Sequence, residues 1–561
     1  MQPAVFARIG MSFLLAFVLT ACQRAAEKPE PPPARSTEAA AATGDAASAQ
    51  AVLADAEHLY RKNCATCHEV PETKAPPVRT LRQMPLSRIL MAMEFGKMQP
   101  QAAGLSSQER LAIGQWLARA ENTGRDDWIQ QNSCAAELES LPVNGSQNWG
   151  FGTDNARFIE SDVAIDPANA GKLQLAWSIA VPLATDMRSQ PLAVGETLFL
   201  GTQNGNLLAL DQASGCVRWR FRAQSTIRSA LGIGLTVDKV PSLFFADDIG
   251  TVYSVDARTG TARWKRSLRL FPTTVISGSP TYHDGRLIVP LSSFEVAAAG
   301  MTTHECCRSH GAVVALNASS GETIWEYHTT PHARKTRVNS AGVQMWGPSG
   351  ASVWSTPTVD SKRGVIYVGT GENLSRPATT TSDAVIAIDL ETGEERWHFQ
   401  ALADDVWNGA CQLGGPNCPE DPGPDWDIGA SVILTRGGNG RDVLLVGQKS
   451  GEAFALDPDA EGKVLWRSRL SQGTANGGNS GIHWGMASDG NRVYAPVSDP
   501  DWKLPGFTPR PGVYALDVAD GELLWSHPVT RGCDVDPADA PMAGLAEMRQ
   551  VKAADEERSP W

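Results

Sequence analysis

The sequence predicts a mainly all-β protein, a β-propeller, preceded by a small all-α module. Two observations predict it. Six segments, "GNLLALDQASGCVRW", "GTVYSVDARTGTARW", "GAVVALNASSGETIW", "DAVIAIDLETGEERW", "GEAFALDPDAEGKVLW" and "GVYALDVADGELLW", share an alternating apolar strand, a turn at Asp or Asn, a glycine and a closing tryptophan. The tryptophans are Trp219, Trp264, Trp325, Trp397, Trp466 and Trp525, spaced 45 to 72 residues apart. That spacing leaves room for four strands per repeat, the signature of propeller blades. Ahead of the blades the apolar period becomes helical: Val52, Ala56, Leu59 and Tyr60 share one face, and "SSQERLAIGQWLARA" opens with a capping box of Ser106 and Glu109. At 561 residues, 42% hydrophobic and 20% charged, the chain is long enough for both parts. Its net charge of −13 argues against a nucleic-acid partner, which is itself a polyanion.

The chain begins "MQPAVFARIGMSFLLAFVLTAC", with Arg8 ahead of an apolar run from Ile9 to Ala21. The run is too short to span a bilayer and has the form of a secretory signal over residues 1–21. Its end, "LTAC", resembles a lipoprotein processing box, which implies cleavage before Cys22 and lipidation of that thiol; Gln23 in the next place favours the outer membrane. A plain secretory signal is the alternative, and either route predicts a periplasmic protein, where disulfides persist. Residues 22–50 contain almost no large apolar side chains and read as a flexible tether.

In residues 51–123, "NCATCHEV" carries Cys64-x-x-Cys67-His68, the attachment pattern for haem c: two thiols to add to the vinyl groups, and a histidine next in line for the iron. A lone CxxC also serves as a redox pair or half a zinc site, but a second CxxC is absent and the export signal favours haem. Met98, in "FGKMQP", is the candidate for the second axial ligand; Met84 competes, while Met91 and Met93 lie in an expected helix and read as core. The stretch resembles the small bacterial cytochromes c, and methionine ligation there implies a raised potential suited to accepting electrons.

The propeller is expected over residues 128–561. Its tryptophans each cover the neighbouring blade and are read as structural. Within it, "HECCRSHGAVVAL" sets Cys306 beside Cys307. Adjacent Cα atoms are about 3.8 Å apart across a trans peptide, closer than an unstrained disulfide spans, so a bond here is strained and suggests a functional site. Two reduced thiols, or cysteines paired elsewhere, are the alternative.

The blade repeat resembles that of the quinoprotein alcohol dehydrogenases, eight-bladed propellers that hold pyrroloquinoline quinone and calcium on the axis; a scaffold lipoprotein of outer-membrane assembly has similar blades and no cofactor. The resemblance implies that the planar quinone lies between Trp354, in "VWSTPTVD", and a Cys306–Cys307 disulfide. It implies calcium ligands at Glu372 or Asn373 after "GTG", a catalytic base at Asp405 in "HFQALADDVWNGA" with Asp404 as the alternative, and a cation facing the quinone at Lys449. A vicinal pair just before a "GxVVAL" strand is similar to the polyvinyl alcohol dehydrogenases, in which an N-terminal cytochrome also occurs. There the cysteines take the place of the usual Glu ligand, which leaves Glu295 as a substitute, and Arg188 and Arg228 either hold the cofactor's carboxylates or sit on the rim. The implied activity is oxidation of secondary alcohol groups, of polyvinyl alcohol or another alcohol, to ketones, with electrons leaving through the haem to an external cytochrome c or other acceptor. A non-catalytic scaffold fused to a cytochrome is the competing reading.

Six blade motifs against eight in that family lead us to expect an incomplete propeller, one that folds poorly and turns over little when expressed as 561 residues. Cysteine counting points the same way. Cys411 and Cys418 suit a local loop and Cys134 pairs with Cys216 across the first blade, which leaves Cys533 without a partner.

Overall fold

A computed structural model describes residues 55–529, except 71–72, 74, 95, 119–126, 136–140, 144–146, 160–163, 167, 183, 185, 439, 475–478 and 500–505. The signal segment, Cys22, the tether and Cys533 lie outside the described residues. Among the described residues no helix is long and apolar enough to cross a membrane.

Each sequence repeat forms the third and fourth strands of a four-stranded antiparallel sheet. The six sheets span residues 192–222, 232–267, 281–328, 358–400, 433–469 and 487–528, with strands in sequence order; the third gains a short fifth strand, Thr274–Val275. The first strands of neighbouring sheets pack against one another from the second sheet to the sixth. The sheets are therefore propeller blades, and their first strands line the axis.

The repeat's glycine and tryptophan prove to be two halves of one joint. Trp219 lies on Gly260 of the next blade, Trp264 on Gly321, Trp325 on Gly393, Trp397 on Gly462 and Trp466 on Gly521. Each glycine has a left-handed φ, and a Cβ there would come within 2.5–2.8 Å of the indole. Only glycine meets both demands. The indole N–H groups of Trp219, Trp264, Trp325 and Trp466 donate to backbone carbonyls of the blade they cover, at 2.9–3.2 Å. Trp177, outside the repeats, makes the same joint with Gly215 and Gln212 of the first blade, whereas Trp525 is 45% exposed.

A non-repetitive segment ties the blades together at the axis. Gln147 pairs with Ile233 of the second blade, and the Asn148 side chain pairs with the Tyr282 backbone of the third. The Thr153, Asp154 and Ala156 carbonyls accept from Val359, Leu434 and Ser488 of the fourth, fifth and sixth. Ten consecutive residues, Gln147 to Ala156, thus cross five blades. Hydroxyls add lateral ties: Ser279 accepts from Ala230 N, Thr356 from Ser279 N, and Ser431 from Thr356 N.

The N-terminal module is helical as expected, with residues 55–63, Ala65–His68, Val78–Leu81, Leu86–Glu94, Gln99–Ala102 and Ser107–Ala118 in helices around Tyr60, Leu86, Leu90, Met93 and Ile113. Its capping box forms: Ser106 N donates to Glu109 Oε2 at 2.6 Å and Glu109 N to Ser106 Oγ at 3.2 Å. The module and the blades belong to one compact unit, Leu53–Trp561. Ile249, from the second blade, completes the module's apolar core. Glu94, with only 3% of its side chain exposed, accepts from Arg269 Nη2 through both oxygens at 3.0 Å. Burial raises the Glu94 pKa and the Arg269 and Arg110 charges oppose it. Removing one partner of a buried ion pair typically costs about 3–5 kcal/mol. Glu94→Gln should therefore strip amide protection from Leu86–Glu94 in hydrogen-exchange mass spectrometry and leave the fifth blade unchanged; equal protection in both proteins would show that the pair does not hold the module.

Candidate active site

The turn after strand Val365–Gly369 delivers Glu372, the approach to strand Ile433–Arg436 delivers Asp425 and Asp427, and the turn after Asp442–Gly447 delivers Lys449. The three carboxylates are buried and offer oxygens that all lie within 4.8 Å of one another. Lys449 Nζ lies 2.9 Å from Asp425 Oδ1 and 2.8 Å from Asp427 Oδ2. Trp354, just ahead of strand Thr358–Asp360, donates its indole N–H to Asp427 Oδ2 at 3.1 Å, and its ring lies on the Gly429 backbone, where a Cβ would meet it at 1.9 Å. Glu372 N donates to Asp427 Oδ1 at 3.0 Å.

Burial controls the electrostatics. It pushes Glu372 well above the usual carboxylate range, with Asp427 and Asp425 adding to the shift. It pushes Asp425 up to about 7 against the pull of Lys449. Burial opposes ionisation of Asp427 as well, but Lys449 and the Glu372 hydrogen bonds outweigh it and hold this carboxyl at about 2. Asp427 is therefore ionised at neutral pH. Hard oxygen donors in buried excess over one ammonium form a site for a hard cation.

Several residues expected from the sequence assemble here, and others do not. Trp354, Lys449 and Glu372 come together. Asn373 does not join the cluster: its amide donates to the Ser349 carbonyl at 3.0 Å and its oxygen accepts from Thr379 N at 2.7 Å. Glu295 is also elsewhere, accepting from Arg308 N, Ser309 N and Ser309 Oγ and pairing with His304 Nε2 at 3.0 Å. Burial alone would raise its pKa, yet His304 and Ser309 bring it below its ordinary value. Glu295 thus clamps the loop that carries Cys306 and Cys307, and its lone pairs are spent there. Asp405 adjoins the cluster, but its oxygens accept from Trp426 N at 3.1 Å and Asp425 N at 3.4 Å. It anchors the Asp425–Asp427 loop, with its pKa raised to about 6 chiefly by burial. Asp404 is exposed and paired with Arg376.

Cys306 and Cys307 are joined by a disulfide across a cis peptide and are fully buried. Their loop pairs with the segment leading to Trp354, through Trp346 N to Cys306 O at 2.8 Å and Gly350 N to Ser309 O at 2.9 Å. The Cys134–Cys216 and Cys411–Cys418 pairings also form. Arg188 and Arg228 line a cavity of about 410 Å³ with Trp149, Trp354, Gly429 and Trp484. A second cavity of about 380 Å³, between the helical module and the blades, shares Arg188, Arg228 and Ser277 with it.

Asp425, Asp427 and His483 escaped the sequence reading. The available signal was "DWD", a pair of aspartates around Trp426 ahead of Lys449. The His483 ring lies 5.6 Å from that of Trp354 and 4.2 Å from that of Trp484. Burial, then Lys449, pushes its pKa down to about 4, so it is neutral near pH 7.

In the helical module His68 is buried and its Nδ1 lies 2.6 Å from the Pro76 carbonyl, which directs Nε2 away as a free donor atom. Cys64 and Cys67 are reduced; Cys67 directly precedes His68 and Cys64 lies one turn before it. Met98 and Met84 both pack against the module's core, Met93 is buried within it, and Met91 lines the cavity facing the blades.

Residues 147–413 match the family described as "Glucose/ethanol/alcohol dehydrogenase, beta-propeller domain". Residues 382–546 match one described as "Outer membrane protein assembly factor BamB"; this second match falls on the blade repeat. The chain is 36% identical to a polyvinylalcohol dehydrogenase of Pseudomonas sp over 87% of its length and 78% of the relative's. It is 38% identical to a polyvinylalcohol dehydrogenase of Sphingopyxis sp. (strain 113P3), over 84% and 75%. A europium-containing methanol dehydrogenase shares the fold at 16% identity, with a TM-score of 0.50 over 68% of this chain and 78% of the other. The chain therefore belongs to the polyvinyl alcohol dehydrogenase family, whose members are pyrroloquinoline-quinone-dependent alcohol dehydrogenases built on a β-propeller.

Proposed function

We propose that this chain oxidises secondary alcohol groups of polyvinyl alcohol to ketones in the periplasm and passes the electrons through a haem c in its own N-terminal module to an external cytochrome c or other acceptor. The observation that carries the reading is the buried contact set of Asp427 with Lys449, Trp354 and Glu372. The residues present suit the cofactors. Glu372, Asp425 and Asp427 supply hard oxygen ligands for calcium or a lanthanide. Trp354 supplies a flat wall and Arg188 and Arg228 supply positive charge for a polycarboxylate in the cavity they share; the Cys306–Cys307 disulfide is fully buried in the loop paired with the segment leading to Trp354. When bound, the quinone is the hydride acceptor and the metal the Lewis acid.

The chain's own residues then have distinct tasks. Asp427, ionised and held in place by the Trp354 indole and Lys449, takes the hydroxyl proton of the substrate as general base. Lys449 keeps Asp427 charged and would offer its cation to a bound quinone. Asp405 acts one step back by fixing the loop that presents Asp425 and Asp427. In the helical module, Cys64 and Cys67 would hold a haem c covalently, and His68, through Nε2, and Met98 would supply its iron ligands. Lipidation of Cys22 tethers the protein to the outer membrane.

The test is to supply purified protein with quinone and calcium and to follow the haem spectrum upon addition of polyvinyl alcohol. Haem reduction that requires both quinone and polymer supports the reading; none with any alcohol refutes it. His68→Ala should abolish the low-spin haem spectrum and stop electron delivery to a cytochrome, while turnover with an artificial dye persists. Loss of dye-linked turnover as well would show that the histidine serves the propeller rather than a haem.

A further inference from the structure

Three histidines meet at one edge of the third blade. His310 lies two residues ahead of strand Ala312–Asn317, His328 closes strand Thr323–His328 opposite Ala312, and His332 follows just past Pro331. Their ring centres stand 5.1 Å apart for His310 and His328, 5.6 Å for His310 and His332, and 6.1 Å for His328 and His332. His310 Nε2 lies 2.9 Å from His328 Nδ1. The His310 ring is buried and walled by Phe271, 5.0 Å away, and its Nδ1 has no hydrogen-bond partner among the described residues, so none of them locks its tautomer. Burial, then His328 and His332, push its pKa down to about 4, and the ring is neutral near pH 7.

These are the distances of imidazoles gathered around one ion. With metal–nitrogen bonds of about 2.0–2.1 Å, two nitrogens at right angles on an ion are about 2.9 Å apart, and rings at about 90–120° have centres about 4.5–5.5 Å apart. His310 and His328 meet both conditions. A plain hydrogen bond accounts for that pair, but not for a third imidazole beside it. One movement is required: the three rings do not yet offer nitrogens that all lie within 4.8 Å of one another, so His332 must turn inward. It is exposed, and a change of rotamer there displaces little packing. Behind His328, Glu326 Oε2 stands 3.6 Å from Nε2. A carboxylate in that place favours the proton on Nε2 and leaves Nδ1 as the ligand atom. Neutral imidazoles set at right angles suit copper(II) or nickel(II). The neighbouring Ser309 is held by Glu295, so an ion here would tie the Cys306–Cys307 loop to the last strand of the blade.

We propose that His310, His328 and His332 form a binding site for a divalent transition-metal ion of the copper(II) or nickel(II) type, separate from the carboxylate cluster on the axis. Full-length protein, with calcium chloride added to fill that cluster, is incubated with copper(II) chloride and desalted. Copper per chain is measured by plasma mass spectrometry and its ligands by electron paramagnetic resonance. The wild type is expected to retain one copper more than the double variant His328→Ala/His332→Ala, with imidazole nitrogen hyperfine lines that the double variant lacks. His310→Gln should lose the same ion; should that buried substitution fail to fold, the double variant, altered only at the blade edge, still decides. Equal copper in the wild type and the double variant would overturn the site, because Cys64, Cys67 and His68 are the same in both. Retention of the ion in folded His310→Gln would overturn it as well. The assay contains neither quinone nor alcohol, so its outcome stands apart from the dehydrogenase reading.

Discussion

Asp427→Asn is expected to lower kcat for alcohol oxidation by about 10²–10⁴-fold, the usual contribution of a positioned general base. The amide retains the shape and can accept the Trp354 N–H at its oxygen, but its nitrogen then faces the Glu372 N–H, so cofactor and metal content are measured beside kcat. Its nitrogen cannot take a proton. Asp405→Asn gives the contrasting result. Its oxygens engage the N–H groups of Asp425 and Trp426, so an amide that keeps one acceptor should cost stability and reduce turnover only modestly. Steady-state assays on quinone-loaded protein decide the matter: if Asp405→Asn proves the far more damaging of the two, the base assignment is reversed. Because Asp427 is held at about 2 by Lys449 and the Glu372 hydrogen bonds, against burial, its own titration should leave turnover flat from about pH 5 to neutrality. An acid limb in that range would belong to another group.

Trp325→Ala should destabilise the propeller by about 3–5 kcal/mol, the range for removing a large aromatic side chain from a packed interior. Trp325 is 8% exposed, lies on Gly393 of the next blade and donates its indole N–H to the Leu390 carbonyl at 3.1 Å. Its removal opens a cavity at a blade-to-blade joint and leaves the Leu390 carbonyl without that donor. Trp525→Ala, at the same place in the sixth repeat but with the side chain 45% exposed, should change stability by about 0.5 kcal/mol or less, as surface substitutions do. Urea midpoints for the two variants measure the difference. Equal losses would mean that the repeat tryptophan works within its own blade rather than between blades.

The blade repeat was legible in the sequence because its physics is local and recurs. A period of two, a turn at Asp or Asn, a glycine and a tryptophan describe two strands and one joint, and six copies reinforce one another. The Ser106 and Glu109 cap and the Cys64, Cys67 and His68 pattern are local in the same sense: the groups that interact lie within a turn or two. Trp354, Glu372 and Lys449 were found because the stretches "VWSTPTVD", "GTGEN" and "VGQKSGEAFAL" resemble those of the quinoprotein dehydrogenases.

What the sequence could not reveal depends on contacts between distant segments. The strand-crossing segment from Gln147 to Ala156 ties four of its five blades with backbone groups, whose pairing no side-chain pattern records, and the third through the Asn148 side chain. Glu295 and Asp405 read as ligand and base because a carboxylate near a functional motif looks the same whether it faces a cavity or backbone N–H groups; only the folded chain turns Glu295 onto Ser309 and Asp405 onto Trp426. His310, His328 and His332 read as members of separate segments, and their rings meet only once Thr323–His328 is laid beside Ala312–Asn317. The sequence by itself determined a propeller with a helical module and the residue types of a dehydrogenase. Which carboxylates meet Lys449 was decided by tertiary structure, because charge and burial are properties of the assembled axis and of no single segment.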